Sequence, residues 1–243
     1  MPYMAAADDE PIIAVASNLS LPLTEIVAQY EETNKQSIRL TLGSSGNLAT
    51  QIVQGAPYGL FISANRQYID LLLEHGIHIN SITPFGVGDI GMFIPENSQL
   101  SEITSIDEVI NALIFRNYRK IAIANPELSP HGFAAVEALH NAGMWAIESS
   151  RVIQADSVSL VIPFALSGSV DMAIIPYSYM QLDELKQNGK YIPIPATYYT
   201  PINQYLIELK SDNPQLSAFK KFLLSDLSKN ILSKYGYKAQ QIE

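Results

Sequence analysis

The strongest constraint on the fold is an alternation of short β-branched runs with longer segments of helical spacing. "IIAVAS" (Ile12–Ser17) is apolar. The stretch after it, "LPLTEIVAQYEETN", carries Pro22 in its first turn and Leu23, Ile26, Val27 and Tyr30 at helical intervals. "IRLTLG" precedes "NLATQIVQG", closed by Gly55, and "GLFISA" (Gly59–Ala64) precedes "RQYIDLLLEHG", ended by Gly76. Strands separated by helices return to the sheet running the same way, so the pattern predicts parallel sheets with helices on both faces.

Two passages break this rhythm. "FGVGDIGMFIP" and "YIPIPATYYTPINQYLIEL" read as long extended stretches, and they are the natural crossovers between two lobes. On that reading residues 11–84 with 203–243 form the first lobe, and 85–202 form a second, inserted one. Within the insertion, Ser105 and Glu108 form a capping box, "KIAIANP", "RVIQAD" and "VDMAIIP" are strands, and "SPHGFAAVEALHNAG" is a helix closed by Gly143. "SVSLVIPFALSG" is expected to be helical despite Pro163, "SYMQLDELKQNG" likewise, and "NPQLSAFKKFLLSDLSKNILSKYG" is expected to be one closing helix. No internal repeat is visible.

Composition narrows the functions. A net charge of −9 without a Lys/Arg cluster argues against nucleic acid as a partner. The absence of cysteine excludes thiolate metal sites and cysteine nucleophiles. No apolar run approaches the ~20 residues of a membrane span. The start "MPYMAAADDEP" has neither a basic nor an apolar leader region, and Ala5–Ala7 before the acids suit a cleavage remnant or an intact N-terminus equally.

At four places a strand ends in small or hydroxyl residues and a helix begins: at Ser17, at Ser44-Ser45, at Ser129–Gly132 and at Asp156-Ser157. Serine there is a common N-cap. Helix starts also expose unpaired N–H groups that receive oxyanions, and ligands sit at the carboxyl ends of strands in open α/β sheets. Gly43 and Gly46, flanking the paired serines, allow a close backbone approach.

"AVASNLSLPLTEIVAQYEE", "GSSGNLATQIVQGAPYGLFISA", "IAIANPELSPHGFAAVEAL" and "MAIIPYSYM" resemble the molybdate-binding proteins that serve ABC importers, in that family's order from about Pro11 to Tyr237. The resemblance implies a type II periplasmic-binding-protein fold: two lobes with parallel-dominated sheets flanked by helices, and an oxyanion in the cleft. It further implies a periplasmic monomer that delivers molybdate or tungstate to a membrane permease, with no catalysis and no cofactor. Carried over by residue, Ser17 and Ser45 bind the anion through hydroxyl and amide, His131 and Val158 through backbone N–H, and Tyr177 through its hydroxyl. Three positions depart from the family: His131 replaces a small residue, Tyr58-Gly59 an Ala-Asp pair, and "ADSV" an acidic pair before the valine.

The donor set suits a tetrahedral dianion that carries no proton. Sulfate shares that charge, and phosphate, which keeps a proton, stays open through Asp156. Other readings are a hydrolase using Ser45 and His131, although no G-x-S-x-G elbow occurs, and a metal-ion binder using His75, His78, His140 or Tyr198 and Tyr199. Trp145 is expected in the core, where it would report lobe closure.

Overall fold

A computed structural model describes residues 10–115, 117–143, 149–210 and 212–239. Trp145 and the Ala5–Ala7 segment lie outside the described residues.

The chain begins as expected, with β1 (Ile12–Ala16), α1 (Ser20–Asn34), β2 (Arg39–Gly43), α2 (Ser45–Val53), β3 (Leu60–Ser63), α3 (Gln67–Glu74) and β4 (Ser81–Gly88). It then enters a second set: β5 (Gly91–Pro95), α4 (Ile106–Ile114), β6 (Ile121–Ala124), α5 (Pro130–Asn141), β7 (Val152–Ala155), α6 (Val161–Leu166), β8 (Met172–Ile175), α7 (Asp183–Asn188) and β9 (Gly189–Pro193). It returns through β10 (Ile202–Glu208) and ends in α8 (Pro214–Leu223) and α9 (Asp226–Lys234).

Two mixed sheets result, ordered β2-β1-β3-β10-β4 and β7-β6-β8-β5-β9. In the first, β1 pairs parallel with β2 and β3, while β10 runs antiparallel between β3 and β4. In the second, β6 pairs parallel with β7 and β8, while β5 runs antiparallel between β8 and β9. Parallel direction therefore dominates, and the reversed strand in each sheet is the one that has just crossed from the other sheet.

Both sheets are covered on both faces, so their central strands are apolar throughout rather than alternating. Ile13 and Val15 face α1 and α8 through Leu23, Ile26 and Phe219. Ala14 and Phe61 face α2 and α3 through Leu48, Ile52 and Leu72. In the second sheet Ile121 and Ile123 pack on Ala134 and Leu139 of α5, and Ala122 and Ala124 pack on Val158, Val161 and Ala165.

The two crossovers pass between the sheets as expected, each resolved into a pair of strands, and three local expectations change. The stretch 85–95 is two strands in different sheets, broken at Asp89-Ile90, and residues 193–209 are likewise divided by a 3-10 turn at Ala196–Tyr198. The segment from Val158 opens as a 3-10 turn, and α6 starts only at Val161, which puts Pro163 in its first turn, where the missing N–H costs nothing. The "SYMQLDELKQNG" helix is a 3-10 segment, Tyr177–Gln181, followed by α7. The closing helix breaks at Ser225, whose side chain accepts from Ser228 N and caps α9. The Ser105–Glu108 capping box forms as read.

Gly132 sets α5 directly on the end of β6: a β-carbon there would lie 2.3 Å from the Ala124 carbonyl oxygen. Gly132→Ala should lower stability by about 1–3 kcal/mol through overpacking. Denaturant unfolding reads this, and an unchanged midpoint would show that the two elements separate freely.

Candidate anion-binding site

The paired serines divide the labour between them. Ser44 is extended (ψ 149°) and its Oγ accepts the Asn47 N–H, capping α2. Ser45, the first helical residue, accepts the Ala64 N–H on its Oγ at 3.1 Å, which anchors it to the end of β3. With that lone pair occupied the hydroxyl keeps its proton to give, and a first-turn amide has no acceptor inside its own helix. Gly46 serves a different approach from the one its sequence suggests: its N–H donates to Leu128 O at 3.0 Å. A β-carbon on it would meet that oxygen at 3.0 Å and the Tyr68 ring at 3.1 Å. The glycine lets the loop ahead of α5 seat on α2.

Ser17 starts a one-turn 3-10 segment, Ser17–Leu19, beyond β1. The carbonyls of this turn are taken. Ser17 O accepts the Tyr179 hydroxyl at 2.7 Å, and Asn18 O accepts the hydroxyls of Ser178 and Tyr237 at 2.9 and 2.7 Å. Asn18 Nδ2 donates to Gln204 Oε1 and to Tyr237 Oη. Gln204 sits at a β-bulge in β10, a device that re-aims a side chain off the ladder. Among the described residues Ser17 Oγ makes no hydrogen bond.

In the second half, α5 begins at Pro130, which has no N–H, so His131 and Gly132 carry its first amides. The His131 side chain is 3% exposed and its Nε2 has no partner. Burial pushes its pKa down to about 3, so the ring is uncharged at neutral pH. Val158 is buried at the start of its 3-10 turn, and that turn packs on the Ser17–Leu19 turn.

The candidate site thus draws on the carboxyl ends of β1, β2, β6 and β7. The structure joins Ser17 to Val158 through their turns, and Ser45 to the loop before His131 through Gly46. His131 Nε2 and Gln204 Nε2 lie 3.7 and 3.3 Å from the point a β-carbon on Gly88 would occupy, which ties His131 to the Asn18 network. Tyr177 stands at the margin, 38% exposed, with its N–H donated to Asp89 Oδ1 and its ring edge-on to Tyr191. The tyrosine that reaches Ser17 is Tyr179, which the sequence reading passed over with Asn18, Ser178, Gln204 and Tyr237. Only the adjacency of Asn18 to Ser17 and of Tyr179 to Tyr177 signalled them; their pairings span about 160–220 residues.

Residues behind the other readings do not pair as those readings require. Ser45 and His131 share no hydrogen bond. His75 and His140 are exposed, as is Asp156; Tyr199 Oη accepts the Ile90 N–H; and His78 contacts Asn80. Among the described residues no group of three His, Cys, Asp or Glu side chains could hold a metal ion. A cavity of about 490 Å³ lined by Arg39, Gly59, Lys210 and Asn213 sits at the amino ends of the first sheet's strands, away from these donors.

A profile of the bacterial extracellular solute-binding proteins matches residues 12–238. The molybdate-binding protein ModA of Rhodobacter capsulatus is 28% identical over 237 residues, spanning 96% of this chain and 90% of that protein. The solved periplasmic molybdate-binding protein of Azotobacter vinelandii superimposes with a TM-score of 0.84 at 25% identity, covering 96% of this chain and all of that one. The substrate-binding domain of a putative molybdenum ABC transporter from Clostridium difficile gives 0.69 at 25% identity, with 96% and 99% covered.

Asn18→Ala should cost about 1–3 kcal/mol, because Gln204 Oε1 loses its donor inside the protein. A thermal or urea melt checks this; an unchanged stability would show that the network is not structural.

Proposed function

The chain belongs to the bacterial extracellular solute-binding protein family, and from its cradle of donors we propose that it captures molybdate or tungstate for an ABC importer. What supports the reading is the chemistry of the groups placed at these turns. They are hydroxyls and first-turn amides: Ser45 with its lone pair already filled by Ala64 N–H, Ser17, and the backbones of His131 and Val158, with Tyr177 as a fifth donor at the rim. A proton-free dianion needs donors only, and neutral dipoles spare the desolvation of a lysine or arginine beside it. Hydrogen bonds to a charged group contribute ~1.5–3 kcal/mol each, so a handful support the ~8 kcal/mol of micromolar binding after ordering costs. Hydrogenphosphate would want an acceptor, and exposed Asp156 does not supply one.

We take each sheet with its helices as a lobe, hinged at Asp89-Ile90 and across 194–201. Ser17 and Ser45 come from one lobe and His131 and Val158 from the other. An anion touching both favours closure by its differential contacts, and the closed form is what the permease receives. Among the described residues no helix is long and apolar enough to cross a membrane. The family's extracellular character suits a periplasmic carrier.

Thermal melts with molybdate, tungstate, sulfate and phosphate at matched ionic strength test the ligand class. An anion at a hundred times its dissociation constant should stabilise by ~2.7 kcal/mol. Molybdate and tungstate should give the largest shifts; negligible shifts for all four would refute transport of oxyanions, and a phosphate-only shift would reassign the ligand. Ser45→Ala should weaken molybdate binding roughly tenfold or more by removing a donor to a charged acceptor. Equal affinity by calorimetry would exclude Ser45 from the site.

A further inference from the structure

We infer that the lobes close only over an uncharged His131 ring, so that capture of the anion is coupled to release of a proton from His131. The inference rests on the oxyanion reading above and adds its regulation by pH. His131 rides on α5 of the second lobe, whereas the groups that meet its Nε2 over Gly88 belong to the first: Gly88 itself at the end of β4, Gln204 of β10, and the Tyr237 ring beyond α9. Rotating the lobes apart would carry the imidazole out of this enclosure and into water.

None of the facing groups can hold an imidazolium. The polar atom that shares the space over Gly88 with His131 Nε2 is Gln204 Nε2, itself a donor that already serves Ile202 O. Tyr237 donates its hydroxyl to Asn18 O, and burial raises its pKa, so the phenol stays neutral. Asp89 follows Gly88, but one of its carboxylate oxygens accepts the Tyr177 N–H, and burial raises its pKa too. Lys238, next to Tyr237, adds positive charge and pairs by its backbone with Val87. The first turn of α5 has no acidic residue, Glu127 ahead of it is exposed, and Ser44–Gly46 of the α2 turn are uncharged. A buried nitrogen without an acceptor, facing donors, excludes a second proton.

The sign follows. In the open form the ring is solvated and titrates near its ordinary value of about 6.5. In the closed form the charged ring is penalised, so the open form alone binds the proton once pH drops below that value. Affinity should be flat above neutrality and fall roughly tenfold from pH 8 to about pH 5.5. Contact between Nε2 and the bound dianion would give the opposite result, proton uptake.

Calorimetric titration of sodium molybdate and sodium tungstate into the full chain, in two buffers of different ionisation enthalpy, counts the protons. At about pH 6 each anion bound should release about three-quarters of a proton, and at pH 8 almost none. His131→Gln removes the titrating ring, and whatever anion it still takes up should bind with no proton release at either pH. Should that variant misfold, the histidine ring signals of the unmutated chain decide by NMR. One ring should titrate near 6.5 without anion and cease to titrate with saturating tungstate. Binding without release, or with uptake, overturns the inference while leaving the oxyanion reading intact. Absence of binding at pH 8 overturns the reading itself and this inference with it.

Discussion

The structure turns on one geometric fact: a strand that ends at the rim of a sheet and turns at once into a helix leaves backbone N–H groups pointing at whatever lies beyond the strand ends. The chain does this after β1, β2 and β7, and after β6 by way of the loop 125–129. Two of those turns belong to each sheet, and the sheets face one another through them. A negatively charged protein, at −9, assembles in this way a local field that favours an anion without placing a lysine or arginine among the donors.

Holding the turns in place takes more polar chemistry than the turns themselves contain. Asn18 binds both Gln204 and Tyr237 next to Ser17, while Ser178 and Tyr179 cross from the second half to the carbonyls of Asn18 and Ser17. These bonds consume the acceptors of the first turn, so donors remain to face the cleft. Gly46 and Leu128 make a second tie between the halves, beside Ser45. The residues proposed to bind and the residues that tie the halves together are thus neighbours in the chain, and on the proposed reading this adjacency would let a ligand of a few atoms bias the position of a whole lobe.

Much of this was legible from local pattern. Period and glycine punctuation located β1 to α3, because those elements are buried by their own faces and need no distant partner to be recognised. The paired serines stood out, yet which of them caps and which is left to donate depends on Ala64, a strand away. The closing helix was read as one although Ser225-Asp226 carries a cap signal, since its apolar spacing continues across the break. Tyr179 and Gln204 escaped notice because their roles come from pairing across long separations and, for Gln204, from a bulge no composition announces. Both sheets share one strand order, reached without any visible sequence repeat.

The central claim is a place: an oxyanion enclosed by first-turn donors of both halves. Anomalous diffraction from crystals soaked in tungstate locates the heavy atom without reference to any assumed contact. The account predicts a single strong peak within hydrogen-bonding reach of Ser17, Ser45 and the His131 and Val158 amides. A peak instead in the cavity beside Arg39 and Lys210, or none at saturating tungstate, would contradict it.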